Sequence, residues 1–164
     1  MLRLLTVPVF ALLLAASPTI AQQSSVPTMS AVAAAKAAAD AARQSGCEQA
    51  LPALGEYARL AEQMASIIDK TLSPFDRAVG DAQLRIRSTM GRELVPAQEQ
   101  ASALREGMHE ALVDSARCHL DGGNAAEALE ITTLVLEMLD GTNTALYRRV
   151  RDLHWEIIGY NSDL

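Results

Sequence analysis

Glu106-Gly107-Met108-His109 sets a carboxylate and an imidazole three residues apart, on one face of any helix that carries them. A helical bundle holding two irons needs such a pair twice, together with two further buried carboxylates. Here it occurs once, and the helical pattern puts His109 at a polar edge, which predicts a solvated Glu–His pair. Cys118 and His119 are adjacent, so their side chains diverge by about 100° on a helix. No CxxC or HxxxH spacing completes a zinc site around them, and no CxxCH would attach haem. Glu106, His109 and His119 are the residues a metal- or cofactor-binding bundle would have to use. The expectation is that the chain holds no metal and no cofactor. No GxSxG elbow and no Cys–His arrangement marks a nucleophile, so an enzyme is not expected either.

The remaining candidates lie in "LYRRVRDLHWEIIGY", residues 146–160. Leu146, Val150, Leu153 and Ile157 form an inward stripe, and Trp155, the single tryptophan, falls opposite it. Tyr147, Arg148, Arg151, His154 and Trp155 are residue types that dominate protein-binding hot spots, and they are the expected partner-binding group. The competing reading folds Trp155 over the end of the domain, covered by the tail Asn161 to Leu164.

The elements that must position these groups are helical. From Ser30 onward alanine, leucine, glutamate and arginine dominate, and strand-like alternation is absent. Punctuation separates about six helices. The first spans Ser30 to about Gln44, with Lys36, Asp40 and Arg43 on one polar line. Ser45 and Glu48 read as a capping box that opens the second, with a kink or late start expected at Pro52. Ser73-Pro74-Phe75-Asp76 has the form of a third helix start, and Gly91 to Pro96 of a boundary. The fourth presents Ala97, Ala101, Leu104, Met108, Ala111, Leu112 and Ser115 on one face and stops at Gly122-Gly123. In the fifth, polar residues are confined to Glu127, Glu130, Thr133, Glu137 and Asp140, which predicts neighbours on both sides. The expected fold is all-α, three antiparallel hairpins in a repeat-like or irregular bundle.

The first residues, "MLRLLTVPVFALLLAASPTIAQQ", combine an early Arg3, a largely apolar run from Leu4 to Ala16 and small residues before Gln22. These are the parts of a secretory signal peptide, residues 1–21; the run is too short to span a membrane, which needs about 20 apolar residues. A flexible leader, 22–29, and a single domain, 30–164, would follow. Losing Arg3 alone takes the net charge from −6 to −7. That acidity argues against nucleic acid and against an anionic membrane surface as partner. Cys47 and Cys118 are expected to pair in the oxidising compartment, within one chain or across a homodimer.

Residues 118–141, "CHLDGGNAAEALEITTLVLEMLDG", resemble a tetratricopeptide-type helical hairpin. Gly123 and Ala128 stand at the family's turn glycine and close-packing alanine, Ala116 at the small position of the first helix, and Leu112 where the family is aromatic. "AAADAARQSGCEQALPAL" resembles a second copy, with Ala38 and Ala50 at the small positions and Gly46 one residue displaced. His119, Ala41, Thr132 and Leu54 stand where the family carries aromatics. The resemblance implies a groove that binds a protein segment. Together these readings predict a secreted, periplasmic, non-catalytic helical protein that binds a protein partner in the cell envelope as adaptor or assembly factor. No stable membrane insertion is expected once the signal is cleaved.

Overall fold

A computed structural model describes residues 26–77, 79–139 and 143–160, so the expected signal peptide 1–21 and the tail 161–164 lie outside the described residues. The described chain is all-α, with five helices: α1 (Met29–Arg43), α2 (Cys47–Asp76), α3 (Asp81–Asp121), α4 (Ala125–Met138) and α5 (Thr144–Ile158). Neighbours in sequence pack on one another, and α5 also reaches back to α3. Two hairpins, α1–α2 and α3–α4, are thus followed by a single helix.

The expected helix start at Ser73 and the boundary at Gly91 to Pro96 do not interrupt the fold. Pro52 and Pro74 lie inside α2, and Pro96 lies inside α3. A proline in a helix interior removes one N–H and crowds the carbonyl four residues earlier. Here all three prolines are exposed, as are Glu48, Lys70 and Arg92 at those earlier positions, so each freed carbonyl meets water. The packed side of the same segments holds the helix together: α2 packs most extensively on α3, burying Leu54, Ala58, Ala61 and Ala65 with Ala101, Leu104, Met108 and Ala111.

The expected capping box does not form. Ser45 lies in the turn just past the end of α1, its N–H donating to the Ala42 carbonyl at 2.9 Å. Gly46, at φ +102°, caps α2 without a side-chain bond.

Helix α3 is the axis of the molecule. Its 41 residues span about 60 Å. One face joins α1 and α2 in a first cluster, with Val32, Ala39, Ala50 and Leu54. A second face, Val113, Ala116 and Leu120, joins Ala128, Val135, Leu146, Val150 and Leu153 of α4 and α5. His109 lies on this second face, one turn before Val113. That is why it is buried, only 8 % exposed, and not the solvated edge residue that its helix pattern suggests. One apolar face was expected of this helix; it has two because it is shared by two hairpins.

The two turns are tied together. Cys47 opens α2 and Cys118 stands in the last turn of α3; they form a disulfide with Cα atoms 5.2 Å apart. Within one chain this bridge closes a loop of 71 residues, which by the chain-entropy relation stabilises the fold by roughly 4 kcal/mol. Among the small residues, Ala116 and Ala128 are fully buried at the α3–α4 crossing. In α1 the buried residue is Ala39, while Ala38 is exposed. Ala39 stands seven residues before Gly46, as Ala116 does before Gly123.

Candidate functional site

Helix α5 is held in place before it presents anything. Asn143 caps it, its Oδ1 accepting from the Leu146 N–H at 3.0 Å, while its Nδ2 donates to Glu106 of α3 at 2.6 Å. Arg117 of α3 donates two hydrogen bonds to Glu156, at 2.8 and 2.7 Å, in a bidentate fork. That pairing holds the Glu156 carboxyl below the ordinary carboxylate range. Asp114 accepts from Arg43 of α1 at 2.8 Å and from Arg149 of α5 at 2.9 Å, joining three helices along one seam.

His154 turns toward α4. Thr132, fully buried, donates its hydroxyl proton to the Leu129 carbonyl, and its oxygen lies 3.0 Å from His154 Nδ1. A hydroxyl has one proton to give, so the imidazole donates Nδ1–H to Thr132. His154 therefore latches α5 to α4, its ring engaged by Thr132 although it lies one turn from Arg151 on the same side of the helix.

Tyr147, Arg151 and Trp155 follow one another at four-residue spacing and make one row along α5. Tyr147 is 42 % exposed, and Arg148 lies exposed beside the row. Arg151 is clamped: it donates to Asp152 at 2.9 and 2.6 Å, and its guanidinium carbon sits 4.6 Å from the Trp155 ring centroid. Trp155 also meets Tyr160 with ring centroids 5.1 Å apart. The backbone explains that contact. Gly159 adopts φ +70°, its N–H donates to the Glu156 carbonyl, and the Tyr160 N–H donates to the Trp155 carbonyl. This is a Schellman cap, whose apolar contact joins these two positions. Tyr160 thus folds back on Trp155 at the end of the helix, while the tail Asn161 to Leu164 of the competing reading lies outside the described residues. Tyr147 and Tyr160 are exposed at the two ends of this row, and Arg151 and Trp155 between them are half-buried.

A cleft of about 570 Å³ opens beside the start of α5, lined by Ser102, Arg105, Glu106 and His109 of α3, by Met138 and Leu139, and by the first residues of α5 with its cap Asn143. Glu106 and His109 thus come together, as their spacing implied, with Arg105 beside them and ion-paired to Asp69 of α2. His119 does not join them: ten residues along α3 put it about 15 Å away. It stands half-buried at the α3–α4 turn, its carbonyl accepting the Asn124 N–H at 2.8 Å. Among the described residues no three His, Cys, Asp or Glu side chains gather as a metal site. Two donors, Glu106 and His109, are fewer than the three protein ligands of a catalytic zinc.

Gly107 connects this cleft to the core behind it. A methyl group there would collide with the Tyr57 hydroxyl of α2, so the glycine is what allows Tyr57 to lie buried against α3. No motif announces this contact, because the two residues are 50 positions apart.

Comparison with protein-family models, with curated proteins and with solved structures finds no match to this chain.

Proposed function

We propose that this chain is a secreted, non-catalytic helical protein of the periplasm that binds a protein partner in the cell envelope, as an adaptor or assembly factor. The observation that carries the reading is the row along α5. Arg151 is stacked on Trp155 and clamped by Asp152, with Tyr147 and Tyr160 exposed beside them. Rigid aromatic and arginine side chains give up little conformational freedom on binding, which is why such residues anchor interfaces. The Cys47–Cys118 bridge supports an oxidising compartment. The succession of hairpins joined at glycine turns supports the resemblance to tetratricopeptide-type repeats.

The test uses Tyr147, which takes no part in capping α5. A photoreactive residue at position 147 of the secreted protein should crosslink an envelope protein. Tyr147→Ala and Arg148→Ala should abolish co-purification of that protein, while Arg59→Ala on α2 should not. Capture that survives both α5 substitutions would refute this use of the row.

A further inference from the structure

Two other faces of the molecule lack a neighbour among the described residues, and they match each other. The first is the outer side of the first half of α3. Leu84 and Val95 are 68 % and 50 % exposed there, with exposed Ser88 and the small Gly91 between them. Arg85 and Arg92 flank this line, both exposed, seven residues and about 10 Å apart. The half-buried Ile86, Met90 and Leu94 occupy the opposite side of the helix.

The second face is the outer side of α4, whose charged residues are all acidic. Glu130 and Glu137 are also seven residues apart, with exposed Thr133 between them. Leu134, 43 % exposed, borders a shallow groove that Ala126 and Leu129 complete, and Met138, 40 % exposed, lies one turn beyond it. The wet edge of α4 is therefore wider and more apolar than its line of polar residues suggests.

The two faces cannot meet within one molecule. The inner side of α4 is packed on α3 near Ala116, and Leu84 lies 32 residues, about 48 Å, before that point. We propose that they meet between copies: the α4 face of one molecule docks antiparallel on the Leu84–Val95 face of the next. In this register Arg92 faces Glu130, Arg85 faces Glu137, Leu84 meets Met138, and Leu134 settles over Ser88. Glu99 then lies past the first turn of α4, where the helix dipole favours a carboxylate, and Asp81 falls beyond Met138. A parallel register would set Asp81 beside Glu127. Because the joined surfaces differ, the contact is heterologous and each copy keeps one free face of either kind, so assembly is head-to-tail.

Sedimentation of the intact oxidised protein tests this. At about 0.01 M salt, where charges act over roughly 30 Å, its mean mass should rise with concentration. At about 1 M salt it should fall toward that of one chain. Arg85→Glu with Arg92→Glu, or Glu130→Arg with Glu137→Arg, should each weaken association at least about tenfold by setting like charges opposite one another. The fourfold variant, with both faces reversed, should associate again while its circular dichroism stays native. A wild-type chain that stays monomeric throughout overturns the proposal, and so does a folded fourfold variant that stays apart. Equally fatal would be Arg85 and Arg92 serving only to bind anionic lipid vesicles.

Discussion

Replacing Gly107 by alanine sets two opposing effects against each other. In a helix interior, glycine to alanine ordinarily stabilises by about 1 kcal/mol. At this position the new methyl meets the Tyr57 hydroxyl, and the ring cannot swing away because Tyr57 is buried in the α1–α2–α3 cluster. Burial is also the main reason its phenol is pushed above the usual value. Overpacking of this kind costs about 1–3 kcal/mol, so Gly107→Ala should destabilise by roughly 1 kcal/mol net. Tyr57→Phe removes the colliding oxygen; the next ring atom lies 3.2 Å from the new methyl, a gap that a shift of a few tenths of an ångström relieves. In the Tyr57→Phe background the same alanine should therefore be neutral or stabilising, a coupling of about 1–3 kcal/mol. Urea unfolding of the four proteins of this cycle measures it, and in thermal melts the sign change should appear as a few degrees. If Gly107→Ala stabilised the wild-type protein, or shifted both backgrounds equally, the close approach of Tyr57 to α3 would be refuted.

Cys47→Ser with Cys118→Ser should cost roughly 4 kcal/mol and lower the melting midpoint by on the order of 15 °C; on non-reducing gels the unsubstituted protein should run as a single chain that slows on reduction, and the variant should not respond to reduction. The two glycines of the α3–α4 turn are not equivalent. Gly123 at φ +81° closes the turn by donating to the Leu120 carbonyl, so Gly123→Ala should cost about 1–2 kcal/mol. Gly122, at φ −80°, should tolerate alanine distinctly better in the same chemical denaturation assay. Glu156 supplies a pH test. Its carboxyl is held below the ordinary value of 4.5 by Arg117, so its contribution is complete above that value and is lost as pH falls through the folded-state value. Glu156→Gln should therefore flatten the acid side of the stability–pH curve and meet the wild type at low pH; parallel curves would count against the α3–α5 fork.

Much of the fold was legible in local chemistry. The α3–α4 turn was read correctly at Gly122-Gly123, because a glycine in the left-handed region ends a helix wherever it packs. The pairing of Cys47 with Cys118 was expected from two cysteines and first residues that resemble a secretory signal; that it closes within one chain is what the structure adds. The long helices were cut short on paper because proline and glycine are local signals. Whether Pro52, Pro74 and Pro96 break a helix depends on which side faces water, and that is a property of the packed hairpin. His109 was misplaced for a related reason. A helix pattern shows an apolar face when one partner covers it, but α3 has two partners, and a histidine on the second face looks polar in sequence.

The candidate site divides in the same way. The row of Tyr147, Arg151 and Trp155 follows from four-residue spacing alone, as does the nearness of Glu106 to His109. That His154 turns inward to Thr132 does not, because the bond joins residues 22 positions apart. Nor does the twofold use of Asn143, which caps its own helix and reaches Glu106 37 residues earlier.

By itself, then, the sequence determined what depends on neighbours along the chain: helices, their glycine stops, an amphipathic last helix and a matched pair of cysteines. Tertiary structure alone decided what depends on who packs against whom. It made α3 a shared axis, buried Tyr57 on Gly107, and left the Leu84–Val95 and α4 faces uncovered by any other described residue. The physical reason is range. Helix formation and capping act over about one turn, whereas burial is set by contacts whose partners lie tens of residues away.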